Sequence, residues 1–208
     1  MISLFIDTCD TEYIVSIIKD NETLFFFKSE NSKDLSTKLL KKIDEAFHNI
    51  NLSIQDVDKI FVTNGPGSFT GIRVGVTVAK TLAYSLKKDI YTLSRLECMA
   101  STKCNTDIIV PYIDARRDYV FAGIYDQNLN CLMKDNYLSK DCLLEKINDQ
   151  EVTFISCQNL IDGSVPPNVD VVKILEHHKS DSKINPHSVK PNYLKKTEAE
   201  ENRDKGNN

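Results

Sequence analysis

The sequence predicts an α/β protein built from two copies of one structural unit. Each copy has the order strand–strand–strand–helix–strand, and the first strand of each ends in Ile-Asp, as Ile6-Asp7 and as Ile113-Asp114. The chain has 208 residues, of which 41% are hydrophobic and 27% charged, which is an ordinary globular composition with room for two small cores. Chance recurrence of the same element order is the alternative to duplication.

The first copy is predicted from apolar runs bounded by turn residues. Asp20-Asn21 marks a hairpin turn, and apolar residues on one face of a helical period indicate the first helix. In chain order we expect strands at 2–7, 13–19 and 22–28, a helix at 35–50, a short capped helix after Ser53, a strand at 59–63, a helix reaching about Leu86, a strand at 89–93 and a helix at 94–100.

The second copy repeats this order and then becomes less regular. We expect strands at 107–114, 119–125 and 132–138, a helix from Ser139 to about Ile147, strands at 152–155 and 169–174, and extended chain at 186–194. The resulting domains are a first lobe at 1–103, a second, reduced lobe at 104–194, and a polar tail at 195–208 that is predicted to be disordered.

A glycine-rich stretch, Gly65-Pro66-Gly67-Ser68-Phe69-Thr70-Gly71, joins a predicted strand to a predicted helix. Such a turn either holds phosphate on free amides or brings backbones close together. A P-loop would need a Gly-Lys-Ser/Thr ending, which is absent, and the dinucleotide pattern has its third glycine displaced to Gly71. Four residues are weak candidates for cofactor binding: Asp7, Gly65, Gly67 and Ser68.

Small residues recur every four positions along the helix that follows the stretch. Gly71, Gly75, Ala79 and Ala83 therefore lie on one narrow stripe. Each interior glycine costs a helix about 0.5–1 kcal/mol relative to alanine, so a compensating close contact is expected. That contact is either the chain's own sheet or a helix of another subunit, and the sequence favours neither.

Charge and targeting signals exclude several classes of protein. The net charge of −4 argues against a free-standing nucleic-acid binder, which would need a basic face. The six cysteines form no Cys-x-x-Cys pair and are expected to be reduced. Asp7 interrupts the first apolar run too early for a signal peptide, and no run is long enough to span a bilayer. We expect a soluble, cytoplasmic protein without a membrane contact.

No catalytic or metal-binding arrangement is visible in the sequence. None of His48, His177, His178 and His187 are spaced as i, i+4, and the adjacent pair is expected to point in different directions. No Ser/His/Asp or Cys/His combination can be recognised. We therefore expect no catalytic residue, no metal site and no cofactor held by this chain alone.

The motifs resemble those of the bacterial YeaZ family over about residues 1–194. The matching segments are Ile6-Asp7-Thr8, the run from Gly65 to Gly75, Ile113-Asp114-Ala115-Arg116, and Pro191-Asn192-Tyr193-Leu194. The resemblance implies two ribonuclease-H-like lobes of the actin/Hsp70/sugar-kinase architecture, with a shortened second lobe. Members of that architecture that bind Mg-ATP do so with an Asp-x-Gly-type turn in each lobe, whereas the turns at 7–11 and 114–118 contain no glycine.

The resemblance also implies a role and partners. The chain would be the non-catalytic dimerisation subunit of the tRNA N6-adenosine(37) threonylcarbamoyltransferase complex. TsaD would carry the metal and transfer the group, TsaE would be a small ATPase, and tRNA would be bound only by the complex. ATP or ADP is expected in these partner subunits.

TsaD would pair with the first-lobe helices, and a homodimer in isolation is plausible. The predicted interface residues are Leu39, Ile43, Gly71, Gly75, Ala79 and Ala83. The alternative function is a stand-alone ATPase or phosphotransferase of the same architecture with a divergent site, suggested by the glycine-rich stretch and the two Ile-Asp turns.

Overall fold

A computed structural model describes residues 1–148 and 150–195 of the chain. Of the predicted disordered tail at 195–208, residues 196–208 lie outside this range, so that prediction is untested. The elements, in chain order, are β1 (Ile2–Asp7), β2 (Glu12–Lys19), β3 (Glu22–Glu30), α1 (Leu35–Asn49), β4 (Lys59–Thr63), α2 (Phe69–Leu86), β5 (Asp89–Leu93), α3 (Arg95–Ala100), β6 (Ile108–Asp114), β7 (Tyr119–Asp126), β8 (Cys131–Ser139), α4 (Lys140–Ile147), β9 (Val152–Ile155) and α5 (Val171–His177).

Two sheets with one shared strand order confirm the duplication. The first sheet has the order β3-β2-β1-β4-β5 and the second has the order β8-β7-β6-β9. In each, the first strand pairs antiparallel with the second and parallel with the strand that follows the helix. Strand β5 has no counterpart in the second sheet within the described range, so the second lobe is the smaller one.

The core consists of three apolar layers, one within each lobe and one between the lobes. One lies between the first sheet and helices α1 and α2, and another lies between the second sheet and α4. The central layer joins the two sheets. It contains Phe5 and Phe61 from the first sheet, Ile109 and Ile155 from the second, and apolar side chains of α3 and α5. Burial on both faces explains the continuous apolar runs of the central strands.

Polar caps fix the starts of the helices as the sequence predicted. Ser94 accepts hydrogen bonds from the amides of Leu96 and Glu97 at 3.1 and 3.4 Å. Ser139 accepts one from Cys142 at 3.2 Å. Such caps satisfy amides that the helix leaves free, and each contributes about 1 kcal/mol.

The prediction of a strand at 169–174 is wrong, because most of this segment belongs to helix α5. Asp170 caps the helix by accepting a hydrogen bond from the Lys173 amide at 3.0 Å. Val171, Ile174 and Leu175 are buried at helical spacing. The β-branched residues suggested a strand, but the cap and the i, i+3, i+4 apolar positions decide for a helix.

After α5 the chain returns to the first lobe as a mostly extended segment at residues 184–193. The amide of Ile184 donates to the carbonyl of Ile90 at 2.9 Å. Lys80 on α2 donates to the carbonyl of Val189 at 2.9 Å. One 3₁₀ turn, Pro186–Ser188, interrupts the extended chain. The segment therefore covers the side of α2 that would otherwise face solvent beside β5.

No helix in residues 1–148 and 150–195 is both long enough and apolar enough to cross a lipid bilayer.

Candidate functional site

The turn after β1 holds a buried carboxylate whose two oxygens are both occupied. Asp7 Oδ1 accepts hydrogen bonds from the Cys9 amide at 3.0 Å and the Thr63 hydroxyl at 2.6 Å. Asp7 Oδ2 accepts one from Arg95 Nη1 at 2.7 Å. Asp7 therefore bonds its own turn, as the sequence suggested, and a magnesium ion could reach it only by displacing these donors.

Arg95 is the residue of this site that the sequence did not indicate. It begins α3, its side chain is only 5% exposed, and it contacts Asp10 Oδ2 at 3.4 Å as well as Asp7. Burial by itself would lower the pKa of Arg95, but the two carboxylates outweigh burial and raise it. The guanidinium is thus a permanent cation at the end of β1.

Cys9 stands beside this ion pair but is not an activated nucleophile. Its Sγ donates to Thr63 Oγ1 at 3.1 Å. Burial, followed by the neighbouring Asp7 carboxylate, raises the pKa of the Cys9 thiol. A reactive cysteine needs the opposite shift, towards the thiolate at neutral pH.

Alkylation of the native protein should therefore distinguish inner from outer thiols. All six cysteines are free; Cys9 and Cys98 are buried, whereas Cys131 and Cys157 are exposed. The buried thiols react only after a local opening that costs about 5 kcal/mol or more. We therefore expect them to be labelled at least about 1,000-fold more slowly than the exposed thiols. Time-resolved iodoacetamide labelling with peptide mass spectrometry measures this. Equal rates would show that the turn after β1 opens freely.

The glycine-rich stretch brings two segments of backbone close together. The Ser68 amide donates to the Cys9 carbonyl at 2.6 Å, and the Gly71 amide donates to Ser68 Oγ at 3.2 Å. Gly67 has φ +147°, and a Cβ there would overlap the Cys9 carbonyl oxygen. Of the two alternatives left by the sequence, the close approach of two backbones is the one observed.

The cleft between the lobes is acidic. It encloses about 820 Å³, and Gly67 and Ser68 form part of its lining. Gly65 is buried beneath the backbone carbonyl of Asn192. Its charged lining consists of Asp10, Glu12, Glu30, Asp114 and Arg116. Asp10 is paired with Arg95 and Glu12 with Lys28, so the remaining negative charge of the lining comes from Glu30 and Asp114, opposite Arg116.

The six predicted interface residues lie inside the first lobe, and this is a correction. They are Leu39, Ile43, Gly71, Gly75, Ala79 and Ala83, all of which are buried. A Cβ on Gly71 would overlap the Thr8 carbonyl oxygen, and one on Gly75 would overlap Thr8 Oγ1. The two glycines of the stripe therefore admit the chain's own turn after β1, and all six residues are buried within the lobe instead of facing a partner.

The solvent-facing side of the same two helices carries a separate groove. It encloses about 330 Å³ and is lined by Ser36, Phe69, Thr70, Arg73, Val74, Thr77 and Val78. Phe69 is 53% exposed and stacks on Tyr193 with ring centroids 4.9 Å apart, and Leu40 on α1 is 50% exposed. This face of α1 and α2 therefore presents apolar side chains to solvent.

The adjacent histidines do not diverge as expected. Helix α5 ends at His177, and His178 is its cap residue. The two rings stand nearly perpendicular, with centroids 5.1 Å apart, and both lie close to Glu97 of α3.

Known proteins resemble this chain in sequence and in fold. A family model described as TsaD, tRNA N6-adenosine threonylcarbamoyltransferase, matches residues 29–149. The tRNA threonylcarbamoyladenosine biosynthesis protein TsaB of Bacillus subtilis is 29% identical over 222 positions, covering 96% of each chain. The tRNA N6-adenosine threonylcarbamoyltransferase of Rhizobium johnstonii is 39% identical over 72 residues, which are 34% of this chain and 20% of that protein. YeaZ from Pseudomonas aeruginosa superimposes with a TM-score of 0.74 at 19% identity, covering 93% of this chain and 99% of the other.

The repeated strand order defines a protein with two ribonuclease-H-like lobes of the actin/Hsp70/sugar-kinase architecture. The family model covers more than half of the residues, so the chain belongs to the family that it describes, the tRNA N6-adenosine threonylcarbamoyltransferase family, TsaD. The resemblance to the YeaZ (TsaB) proteins predicted from the sequence is confirmed. The chain and the Bacillus subtilis protein are almost coextensive.

Proposed function

We propose that this chain is a non-catalytic dimerisation subunit in the biosynthesis of threonylcarbamoyladenosine at position 37 of tRNAs that read codons beginning with A. The pathway is taken from the names of its relatives, the TsaB proteins. Its partner would be the transferase TsaD, with TsaE as a third component. The transferred group, the nucleotide and the metal would then belong to those subunits, and tRNA would meet this chain only within the complex.

The turn after β1 supports a role without chemistry of its own. Its carboxylate, Asp7, is neutralised by Arg95 and hydrogen-bonded by Thr63 and the Cys9 amide. Four of the five charged side chains that line the cleft in front of it are carboxylates. A metal that used Asp7 as a ligand would have to break the buried ion pair with Arg95, which costs several kcal/mol.

The observation that carries the proposal is the exposed face formed by α1 and α2. Along α2 the accessible positions Thr70, Val74, Thr77 and Thr81 recur at helical spacing and are all β-branched and compact. Compact side chains allow the axis of a second helix to come close, and Arg73 on the same side can reach a carboxylate at the rim. Contiguous apolar surface with a polar rim is the usual form of a protein–protein interface.

The proposal is tested with a matched pair of leucines. Leu40 on α1 is 50% exposed and Leu144 on α4 is 41% exposed, so a glutamate at either position keeps the fold soluble. Leu40→Glu, and Val74→Glu on α2, would bury an unpaired charge in the interface and should weaken binding to TsaD by at least about 100-fold. Leu144→Glu should bind like the native chain.

The measurement is co-purification with tagged TsaD from the same organism, followed by titration calorimetry of the purified pair. In cells, the α1 and α2 variants should lower threonylcarbamoyladenosine in tRNA, measured by mass spectrometry of nucleosides, and Leu144→Glu should not. Normal TsaD binding by folded Leu40→Glu and Val74→Glu variants would place the interface elsewhere.

Self-association of the isolated chain would use the same face. An apolar groove without its partner can pair with a second copy, giving a symmetric dimer. Light scattering at increasing protein concentration should then show a dimer for the native chain and a monomer for Val74→Glu.

The stand-alone ATPase or phosphotransferase remains the contrasting function. Calorimetry of the isolated chain with Mg-ATP separates it from the scaffold role, because only the enzyme would bind tightly and release phosphate without TsaD. No contact of the described residues favours this alternative.

A further inference from the structure

A cluster of potential metal ligands lies on the side of the molecule away from the α1/α2 face. Glu97 projects from α3, and His177 and His178 end α5. His178 Nε2 is 3.0 Å from Glu97 Oε1, and His177 Nε2 is 3.8 Å from the same oxygen. One ligand atom from each of these three residues lies within 4.8 Å of the others.

These separations match those between ligands around a small divalent cation. Zinc binds imidazole nitrogen and carboxylate oxygen at about 2.0–2.2 Å, and two ligands of a tetrahedral centre are then about 3.3 Å apart. The two measured distances from Glu97, 3.0 and 3.8 Å, lie on either side of that value.

The orientation of His178 provides a second, independent observation. Its Nδ1 is 2.7 Å from Asp181 Oδ2. A carboxylate bound to one ring nitrogen fixes the ring and directs the other nitrogen, here Nε2, towards the cluster. This carboxylate–histidine arrangement is the usual support of a histidine that ligates a metal.

The charges around the cluster also favour a cation. Asp135, which accepts a hydrogen bond from Tyr125 at 2.6 Å, lies close enough to Glu97 to be affected by it. Burial, and then the charge of Glu97, raise the pKa of Asp135 in spite of hydrogen bonds from Ser94 and Tyr125. The carboxylates of Glu97 and Asp181 contact His178, and Asp135 adds a third carboxylate near Glu97, so a bound divalent cation would have negative charge beside it.

We propose that Glu97, His177 and His178 form a three-ligand site for a divalent transition metal, with Asp181 as the outer partner that orients His178. The two imidazoles and one carboxylate select zinc over magnesium and calcium, which prefer oxygen ligands alone. Three protein ligands leave one position for water. The metal would tie α3 to α5, the two helices between the sheets, and would stabilise the packing of the lobes.

The test uses the full-length chain, stripped with a chelator and titrated with zinc. The native chain should take up one equivalent, measured by titration calorimetry and elemental analysis, and its thermal midpoint should rise. His177→Ala and His178→Ala should each weaken binding by more than the 10–100-fold expected for Asp181→Asn. His48→Ala, an exposed histidine on α1 far from the cluster, is the matched control and should leave affinity unchanged.

Two further measurements keep the result decisive. His177 is on the surface, so His177→Ala should fold normally by circular dichroism, and a loss of zinc binding in a folded variant supports the site. Cobalt in place of zinc should give visible bands without a thiolate charge-transfer band, because no cysteine belongs to the ligand set. Three results would each overturn the proposal: no zinc binding by the native chain, zinc binding by both histidine variants as tight as that of the native chain, or a thiolate band in the cobalt spectrum.

Discussion

Replacement of Arg95 by methionine should destabilise the protein by about 3–5 kcal/mol. The substitution keeps the length and apolar stem of the side chain but leaves the Asp7 carboxylate, 2% exposed, without its counter-ion. Removing one partner of a buried ion pair is costly because the remaining charge has lost both water and its partner. Urea unfolding monitored by circular dichroism measures the change, as a lower midpoint at an unchanged slope.

A second variant shows whether the buried charge is the cause. Asp7→Asn combined with Arg95→Met removes both charges, while the amide oxygen can still accept hydrogen bonds from Thr63 and the Cys9 backbone. We therefore expect the double variant to be more stable than Arg95→Met alone, with a coupling free energy of about 1–3 kcal/mol. Additive losses would mean that Arg95 acts through packing and not through its charge.

The Asp7–Arg95 pair also bears on function. The turn after β1 lines the cleft between the lobes through Cys9, Asp10 and Thr11. Here the guanidinium supplies a fixed positive charge at that place, and unlike a metal ion it cannot exchange with solvent. The turn is thereby a structural joint between the first lobe and α3, which is consistent with chemistry performed by another subunit.

Most of the fold could be predicted from the sequence because its local signals agree with its packing. Strand β1 and strand β5 begin and end where apolar runs meet turn or capping residues, and Ser94 and Ser139 cap helices as expected. Helix α5 was missed because its β-branched residues outweighed the capping signal of Asp170. That aspartate, four residues before the buried Ile174, was the available indication.

The site was predicted less well, because its key contacts join residues far apart in the chain. Arg95 lies 88 positions from Asp7, and no local pattern connects them. One signal existed: an arginine in the first turn of a helix opposes the helix dipole, so it needs a carboxylate nearby. Glu97 and the two histidines are likewise brought together only by tertiary structure.

The stripe of small residues was recognised correctly but assigned to the wrong neighbour. Glycine and alanine at every fourth position of a helix indicate that another segment packs closely against it. The pattern does not show whether that segment belongs to the same chain or to a partner. Thr8 occupies that place, and its hydroxyl donates to the Gly71 carbonyl at 2.7 Å. Short stretches of sequence cannot distinguish an internal contact from an intermolecular one, since both need the same small side chains.

Replacement of Gly71 by alanine should destabilise the protein by about 2–3 kcal/mol, although alanine is the better helix former. On an open helix this change would stabilise by up to about 1 kcal/mol. Here the new methyl group would overlap the Thr8 carbonyl oxygen, and its next neighbour is Ser68, the helix cap. Overpacking against backbone forces the turn after β1 away from α2, which costs about 1–3 kcal/mol in addition to the lost propensity gain.

Thr77→Ala is the control, because Thr77 lies on the exposed side of the same helix. It should be neutral or slightly stabilising, so of the two alanine substitutions only Gly71→Ala should lower the unfolding midpoint. The same substitution also tests the interface hypothesis. If the stripe contacted a partner, Gly71→Ala would leave the isolated chain stable and weaken only its complex. Because the turn after β1 covers Gly71, the full loss in the free energy of unfolding should appear in the isolated chain. Urea unfolding without any partner present measures it.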